Sequence, residues 1–234
     1  MRVPIVAFQA VTERVEFECS SKKVQFRYNH FREMRTYSRQ MERLLQDLDL
    51  IRKGPHRIVV EPFPTDLRSG IFAPAVRFIT PLLRRQGIDG EPIRYSGLDA
   101  VPQLYVDPLL MSHVVFNLLE NAVKYYHGPR SNFLVEIVAQ KTDDYYTFRF
   151  RDYGMGVPSG LGESIFEPGI RGQNAYKHHV QGDGLGLWFV REIVKRHGGN
   201  VRLSRHSRPT EFIVELPCSL AHASFTAYEE DSAR

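Results

Sequence analysis

Two glycine clusters constrain this chain more than any other feature. Asp152-Tyr153-Gly154-Met155-Gly156 follows directly on a β-like run from Tyr145 to Arg151. Gly182-Asp183-Gly184-Leu185-Gly186-Leu187 opens a run of helical period that continues Trp188-Phe189-Val190. Glycine lets a backbone approach a flat or anionic ligand closely. A helix start with unpaired N–H groups and the positive end of its dipole suits polyphosphate. The spacing excludes the two commonest nucleotide loops. The run is Gly-x-Gly-x-Gly, without the Rossmann spacing or its acidic partner beyond a second strand, and Gly-x-x-x-x-Gly-Lys-Ser/Thr does not occur.

A third element lies upstream. Asp107-Pro108 combines an N-cap carboxylate with proline at the first helical position, which predicts a helix to about Tyr126. Val114, Val115, Leu118, Leu119 and Ala122 supply its buried side, while Asn117 and Asn121 stand i,i+4 with Lys124 three further on, so one face presents amides and a cation. An Asn carbonyl is a hard oxygen ligand of the kind Mg²⁺ takes beside nucleotide phosphates. Asp152, at a strand end, is placed to accept a hydrogen bond from an exocyclic amine. Between the glycine clusters, Ile165-Phe166-Glu167-Pro168 leads into an aperiodic stretch, Gly169 to Gln181, whose Arg171, Lys177, His178 and His179 read as a lid carrying cations for phosphates.

The remaining pattern alternates short β-like runs with helical periods. Strands are expected at Arg57 to Glu61, Pro92 to Tyr95, Gln103 to Val106, Phe133 to Ala139, Asn200 to Ser204 and Glu211 to Leu216, with helices at Leu67 to Arg85 and about Leu185 to His197. The chain of 234 residues, with 42% hydrophobic and 25% charged residues, excludes disordered and collagenous classes. Its net charge of +4 is spread along the chain, so nucleic acid is not an expected partner. Cys19 and Cys218 are far apart and have no His at metal-ligand spacing, which fits a reducing cytoplasm. No apolar stretch approaches the roughly 18 residues that span a bilayer, so any membrane part would lie in upstream segments outside this sequence.

The first 54 residues have a different texture. Met34, Tyr37, Met41, Leu44, Leu48 and Ile51 alternate spacings of three and four, as a coiled-coil seam requires, and Gly54-Pro55 ends the helix. Ile5, Phe8, Val15 and Cys19 repeat similarly upstream. The expected unit is an antiparallel helical hairpin over 1–54 that pairs with a second copy as a homodimer. It precedes an α+β, two-layer sandwich over 55–217 and a flexible tail over 218–234.

Taken in order, Asn117-Leu118-Leu119-Glu120-Asn121-Ala122-Val123-Lys124-Tyr125, Asp152-x-Gly154-x-Gly156, Phe166-x-Pro168 and Gly182-x-Gly184-Leu185-Gly186-Leu187 closely resemble the N, G1, F and G2 boxes of sensor histidine kinases. The resemblance covers about residues 55 to 217. It implies the Bergerat-type ATP-binding sandwich, with ATP and Mg²⁺ as ligands and a response regulator receiver domain as partner. It implies that Asn121 holds Mg²⁺, that Asn117 lies beside the phosphates and that Lys124 touches one. Tyr125 would pack near the nucleotide, Asp152 would bind the adenine amine, and Gly154 and Gly156 would make room for the ring. Gly182, Gly184, Leu185 and Gly186 would cradle phosphates, with Arg171 as the lid arginine.

The hydrolases of the same superfamily keep a Glu one helical turn before the metal-binding Asn, as general base for water. Here that position is Asn117, and Glu120 points about 100° away around the helix. The resemblance thus favours phosphoryl transfer to a protein histidine over hydrolysis. Met1 to Ile5 matches the third to seventh positions of the family's phosphoacceptor motif, so the acceptor His would fall two residues before Met1. The alternatives are a dimeric ATP-binding regulator without transfer and an anti-sigma-type serine kinase.

Overall fold

In the computed structural model, which describes residues 58–172 and 183–221, the elements follow in the order β1 (Phe63–Thr65), α1 (Ala73–Arg85), β2 (Ile93–Ser96), β3 (Leu104–Val106), α2 (Pro108–Lys124), β4 (Val135–Lys141), β5 (Tyr145–Asp152), α3 (Gly186–Arg196), β6 (Asn200–His206) and β7 (Thr210–Pro217). The described chain from Val60 onward is one compact unit. The expected hairpin over 1–54, Lys177, His178 and His179 of the expected lid, Gly182 of the expected phosphate loop and the tail from 222 on lie outside the described residues.

Five strands form a mixed sheet in the order β2-β4-β5-β7-β6, with β2 parallel to β4 and every other pair antiparallel. Side chains alternate across a strand, and the alternation here buries Val135, Ile137 and Ala139 of β4, Phe148 and Phe150 of β5, and Phe212 and Val214 of β7. The helices cover that face. Phe72, at the end of a π-helical turn (Arg68–Phe72) that leads into α1, stacks on Phe150 at 6.2 Å and meets Tyr95 edge-on at 5.8 Å. Each large side chain withdrawn from water in this way contributes roughly 1.5–3 kcal/mol.

Helix α2 packs against both α1 and α3. Its start is fixed by the Asp107 carboxylate, whose Oδ1 accepts from the Leu109 and Leu110 N–H groups at 3.0 Å each. The same residue ties three elements together. Its Oδ2 accepts from the Glu61 N–H at 3.1 Å, and its own N–H donates to Nε2 of buried His197, just past the end of α3, at 3.0 Å. His197 Nδ1 lies 2.8 Å from the Ile193 carbonyl, so the proton is assigned to Nδ1 and the ring is neutral. The C-terminal end of α3 is therefore pinned to the N-terminal end of α2. With the two helices running oppositely, the N-terminal end of α3 falls about 16 Å further along α2.

Two expectations need correction. Residues 58–61 are not a strand. The strand is instead Phe63–Thr65, paired antiparallel with Leu104–Val106 in a two-stranded sheet separate from the main one. The tail does not begin at 218, because Cys218–Ala221 form a 3-10 turn and the Cys218 N–H donates to the Asp144 carbonyl at 2.8 Å.

Candidate nucleotide site

The site is built along one edge of α2. Asn117 is buried, and its Nδ2 donates to the His113 carbonyl at 3.0 Å, one turn back. That bond turns Oδ1 toward α3, where a methyl group added at Gly186 would sit 3.0 Å from it. Gly186 is thus the residue that lets the helix start approach the amide. Asn121, one turn further along, is half-buried and makes no side-chain hydrogen bond among the described residues. Lys124 pairs with Glu120 at 3.0 Å across one helical turn, so the nearest carboxylate on this helix is held by a cation.

At the other end of α2, Tyr125 is the C-cap residue, and its carbonyl accepts from the Met155 N–H at 2.9 Å. The G1 loop is thereby seated on the helix end. Gly154 is required there. A Cβ at this position would lie 2.7 Å from the Tyr125 carbonyl oxygen and 2.9 Å from Asp152 Oδ1. Asp152 accepts from the Gly154 N–H at 2.9 Å. Burial pushes its carboxyl up from 3.8 to about 6, against the pull of that N–H and of the neighbouring Thr210 hydroxyl. Gly156 has φ +79°, and its Cβ would meet the His206 carbonyl, to which the following Val157 N–H donates at 2.8 Å.

The F and G2 segments close the third side. Phe166 is buried edge-on to Phe212 at 6.2 Å, and Glu167 pairs with Arg191 of α3 at 2.9 Å. The Gly169 N–H donates to the Gly184 carbonyl at 3.1 Å, so the two ends of the lid segment meet. Gly184 has φ +72° and lies against Gly169 and Ile170, one residue from half-buried Arg171. Leu185 occupies the N-cap position of α3 without any side-chain cap, and no acid stands in the first turn. Among the described residues, neither an N-cap side chain nor a first-turn acid accepts from the first N–H groups of α3, which suits that helix start to an anion.

The structure brings Asn117 to Gly186, Tyr125 and Asp152 to Gly154, and Gly184 to the segment carrying Arg171. From Asn117 to Tyr125 is eight residues, about 12 Å of helix. One edge of α2 thus connects an end suited to an anion with an end that presents a carboxylate and close backbone, at a separation comparable with the length of a nucleoside triphosphate. Sequence reading missed Thr210, which stands directly opposite Asp152 in the β5–β7 ladder with its hydroxyl buried. It also missed the Glu167–Arg191 pair and the His197 junction. Each depends on partners far away along the chain, so no local pattern announces it.

Residues 106–220 match the model of the family described as histidine kinase-, DNA gyrase B-, and HSP90-like ATPase. The chain carries a sensor histidine kinase ATP-binding core. This core is 31% identical over 124 residues to the sensor protein RprX of Bacteroides fragilis, covering 52% of this chain and 24% of RprX. It also resembles full-length ShkA, solved in complex with AMPPNP, with a TM-score of 0.58 and 23% identity over 82% of this chain and 38% of that one. Histidine kinase ThkA, solved in complex with the response regulator TrrA, gives 0.57 and 19% over 92% of this chain and 58% of that one. These structural likenesses concern the fold. The chain spans less than a third of the length of the curated relatives it matches. No helix among the described residues of the core is long and apolar enough to cross a membrane.

Proposed function

We propose that this chain binds Mg²⁺·ATP along α2 and transfers the γ-phosphate to a protein histidine, from which it passes to the receiver domain of a response regulator. Asp152 would accept from the adenine 6-amino group, with Gly154, Gly156 and Tyr125 shaping the base end. The α3 start, with Gly182, Gly184, Leu185 and Gly186, would hold the phosphates with Asn117, Lys124 and Arg171. Asn121 would hold Mg²⁺. It fits that ion because its half-buried amide offers a hard oxygen without a partner among the described residues, and Mg²⁺ takes few protein ligands while keeping several waters. When bound, the ion spreads phosphate charge.

The observation that carries phosphoryl transfer over hydrolysis is Asn117. A buried amide stands where a general base would have to be, and the nearest acid on the helix, Glu120, is paired with Lys124. With no general base at that position of α2, a nucleophile that needs no deprotonation is favoured over water, as a neutral imidazole nitrogen is when the N–P bond forms and the P–O bond to ADP breaks. We assign residues 1–54 to the dimerisation and phosphotransfer hairpin, with a homodimer formed through the seam from Met34 to Ile51, and 55–217 to the catalytic domain. The kinship with sensor kinases, and the ThkA complex with its regulator, support this assignment.

The test is incubation with γ-labelled ATP and a separately supplied phosphoacceptor hairpin. Acid-labile, base-stable label on the hairpin is expected. ATP binding without any label would make the chain an ATP-binding regulator instead, and label on serine would place it with the anti-sigma-type kinases.

A further inference from the structure

The outer face of the sheet, turned away from the helices, carries charge in an ordered row. Glu136 of β4 stands opposite Arg151 of β5, Arg151 opposite Glu211 of β7, and Glu211 opposite Arg205 of β6. The signs alternate across four strands. Glu211 is buried although it lies on the outer face, and it accepts from Arg151 Nε at 2.6 Å, Arg149 Nη1 at 3.2 Å and Ser204 Oγ at 2.8 Å. Burial alone would raise its carboxyl, but Arg151, Ser204 and Arg149 together hold it below the usual range. The row also reaches the G1 loop, because Tyr153 Oη donates to Glu136 Oε2 at 2.6 Å.

The adjacent rung is the one that matters for the nucleotide. Asp152 and Thr210 face each other there, each one residue along from Arg151 and Glu211. Side chains alternate between faces, so the charged row holds the backbones of β5 and β7 from outside, directly behind the pair that faces the helices. A carboxylate clamped by two guanidinium groups resists sliding and splaying of the two strands more than an apolar pair, because each bond is directional and charge-assisted.

We infer that Glu211, with Arg151 and the Tyr153–Glu136 link, is the positioning device for nucleobase selection: it fixes the distance and angle at which Asp152 meets the base. The inference rests on the proposed adenine role of Asp152. It explains why an acid is buried on a face with no other demand for one. It also separates the base end from the phosphate end, since no member of the row touches Asn117, Gly184 or Gly186 in the described structure.

The experiment is calorimetric titration of the full chain with ATP, GTP and inorganic tripolyphosphate. GTP carries a carbonyl where ATP has an amine, so it sets an acceptor against the Asp152 carboxylate and is rejected only if that carboxylate is held in place. Glu211→Gln should reduce the ATP-over-GTP preference by roughly tenfold, the size of one hydrogen bond to a charged group, and leave tripolyphosphate affinity unchanged. Tyr153→Phe, which removes one hydroxyl from an exposed ring and keeps the fold, should reduce the preference about threefold in the same direction. Equal losses for ATP and tripolyphosphate would mean general loosening and overturn the inference. So would a preference lost in Asp152→Asn but intact in both Glu211→Gln and Tyr153→Phe. A preference intact in Asp152→Asn itself would overturn the adenine reading, and this inference with it.

Discussion

Asp152 should destabilise the protein that it serves. Moving a carboxyl from 3.8 to about 6 by burial corresponds to roughly 3 kcal/mol of cost once the group is ionised. A raised acid pKa means that the native state keeps its proton to higher pH than the unfolded chain. The stability attached to this group is therefore full below about pH 4, falls as pH rises toward about 6, and stays low above that. Asp152→Asn removes the titration while retaining an Oδ1 that can accept from the Gly154 N–H, now 2.9 Å away. Without nucleotide, the variant should be more stable than the parent by roughly 1–3 kcal/mol at about pH 7, with the gain shrinking to nearly nothing at about pH 4. Urea unfolding followed by Trp188 fluorescence is the assay, since Trp188 is the sole tryptophan and lies in α3 of the nucleotide unit. A variant less stable than the parent at neutral pH, or a difference that does not change between about pH 4 and 7, would refute burial as the origin of the shift.

Four of the further expected outcomes rest on the described fold, and a fifth on the sequence pattern of the first 54 residues. ATP affinity should weaken by up to about tenfold from pH 7 to pH 5 as Asp152 protonates, and Asp152→Asn, already weaker by about 1–3 kcal/mol at neutral pH, should not show this dependence in calorimetry. His197, whose buried ring is held below its usual 6.5, accepts from the Asp107 N–H only when neutral. The native state resists its protonation, so stability should fall as pH drops through about 6.5, and His197→Gln should flatten that limb of the unfolding profile. Gly154→Ala should cost roughly 1–3 kcal/mol in unfolding experiments, because the Tyr125 carbonyl at 2.7 Å is backbone and cannot swing aside; Gly186→Ala should instead weaken nucleotide binding more than stability, because it meets the Asn117 side chain. Charge placed at Leu44 and Leu48 should yield a monomer by light scattering while ATP affinity is retained.

Much of the site is legible in sequence because its chemistry is local. The i,i+4 spacing of Asn117 and Asn121, the Asp107-Pro108 start of α2 and the two glycine clusters each owe their geometry to residues within a turn or two. The same holds for the G1 loop, where Gly154 is needed because its neighbour Asp152 and the end of α2 crowd it. Failures of the local reading came where identity depended on a distant partner. Ile58-Val59-Val60 has the composition of a strand but pairs with no strand among the described residues. Phe63-Pro64-Thr65, which a proline would ordinarily demote, becomes an edge strand because Leu104–Val106 lies beside it. Thr210 and Glu211 look like any polar residues at a strand start. Only the register of β7 against β5 sets one beside Asp152 and buries the other between two arginines. The chemical groups of the site are thus determined by sequence, because side-chain type and helical spacing are local properties. Their mutual placement was decided by strand register and by the His197–Asp107 junction, because hydrogen bonds between residues 60 to 90 positions apart exist only once the chain has closed on itself.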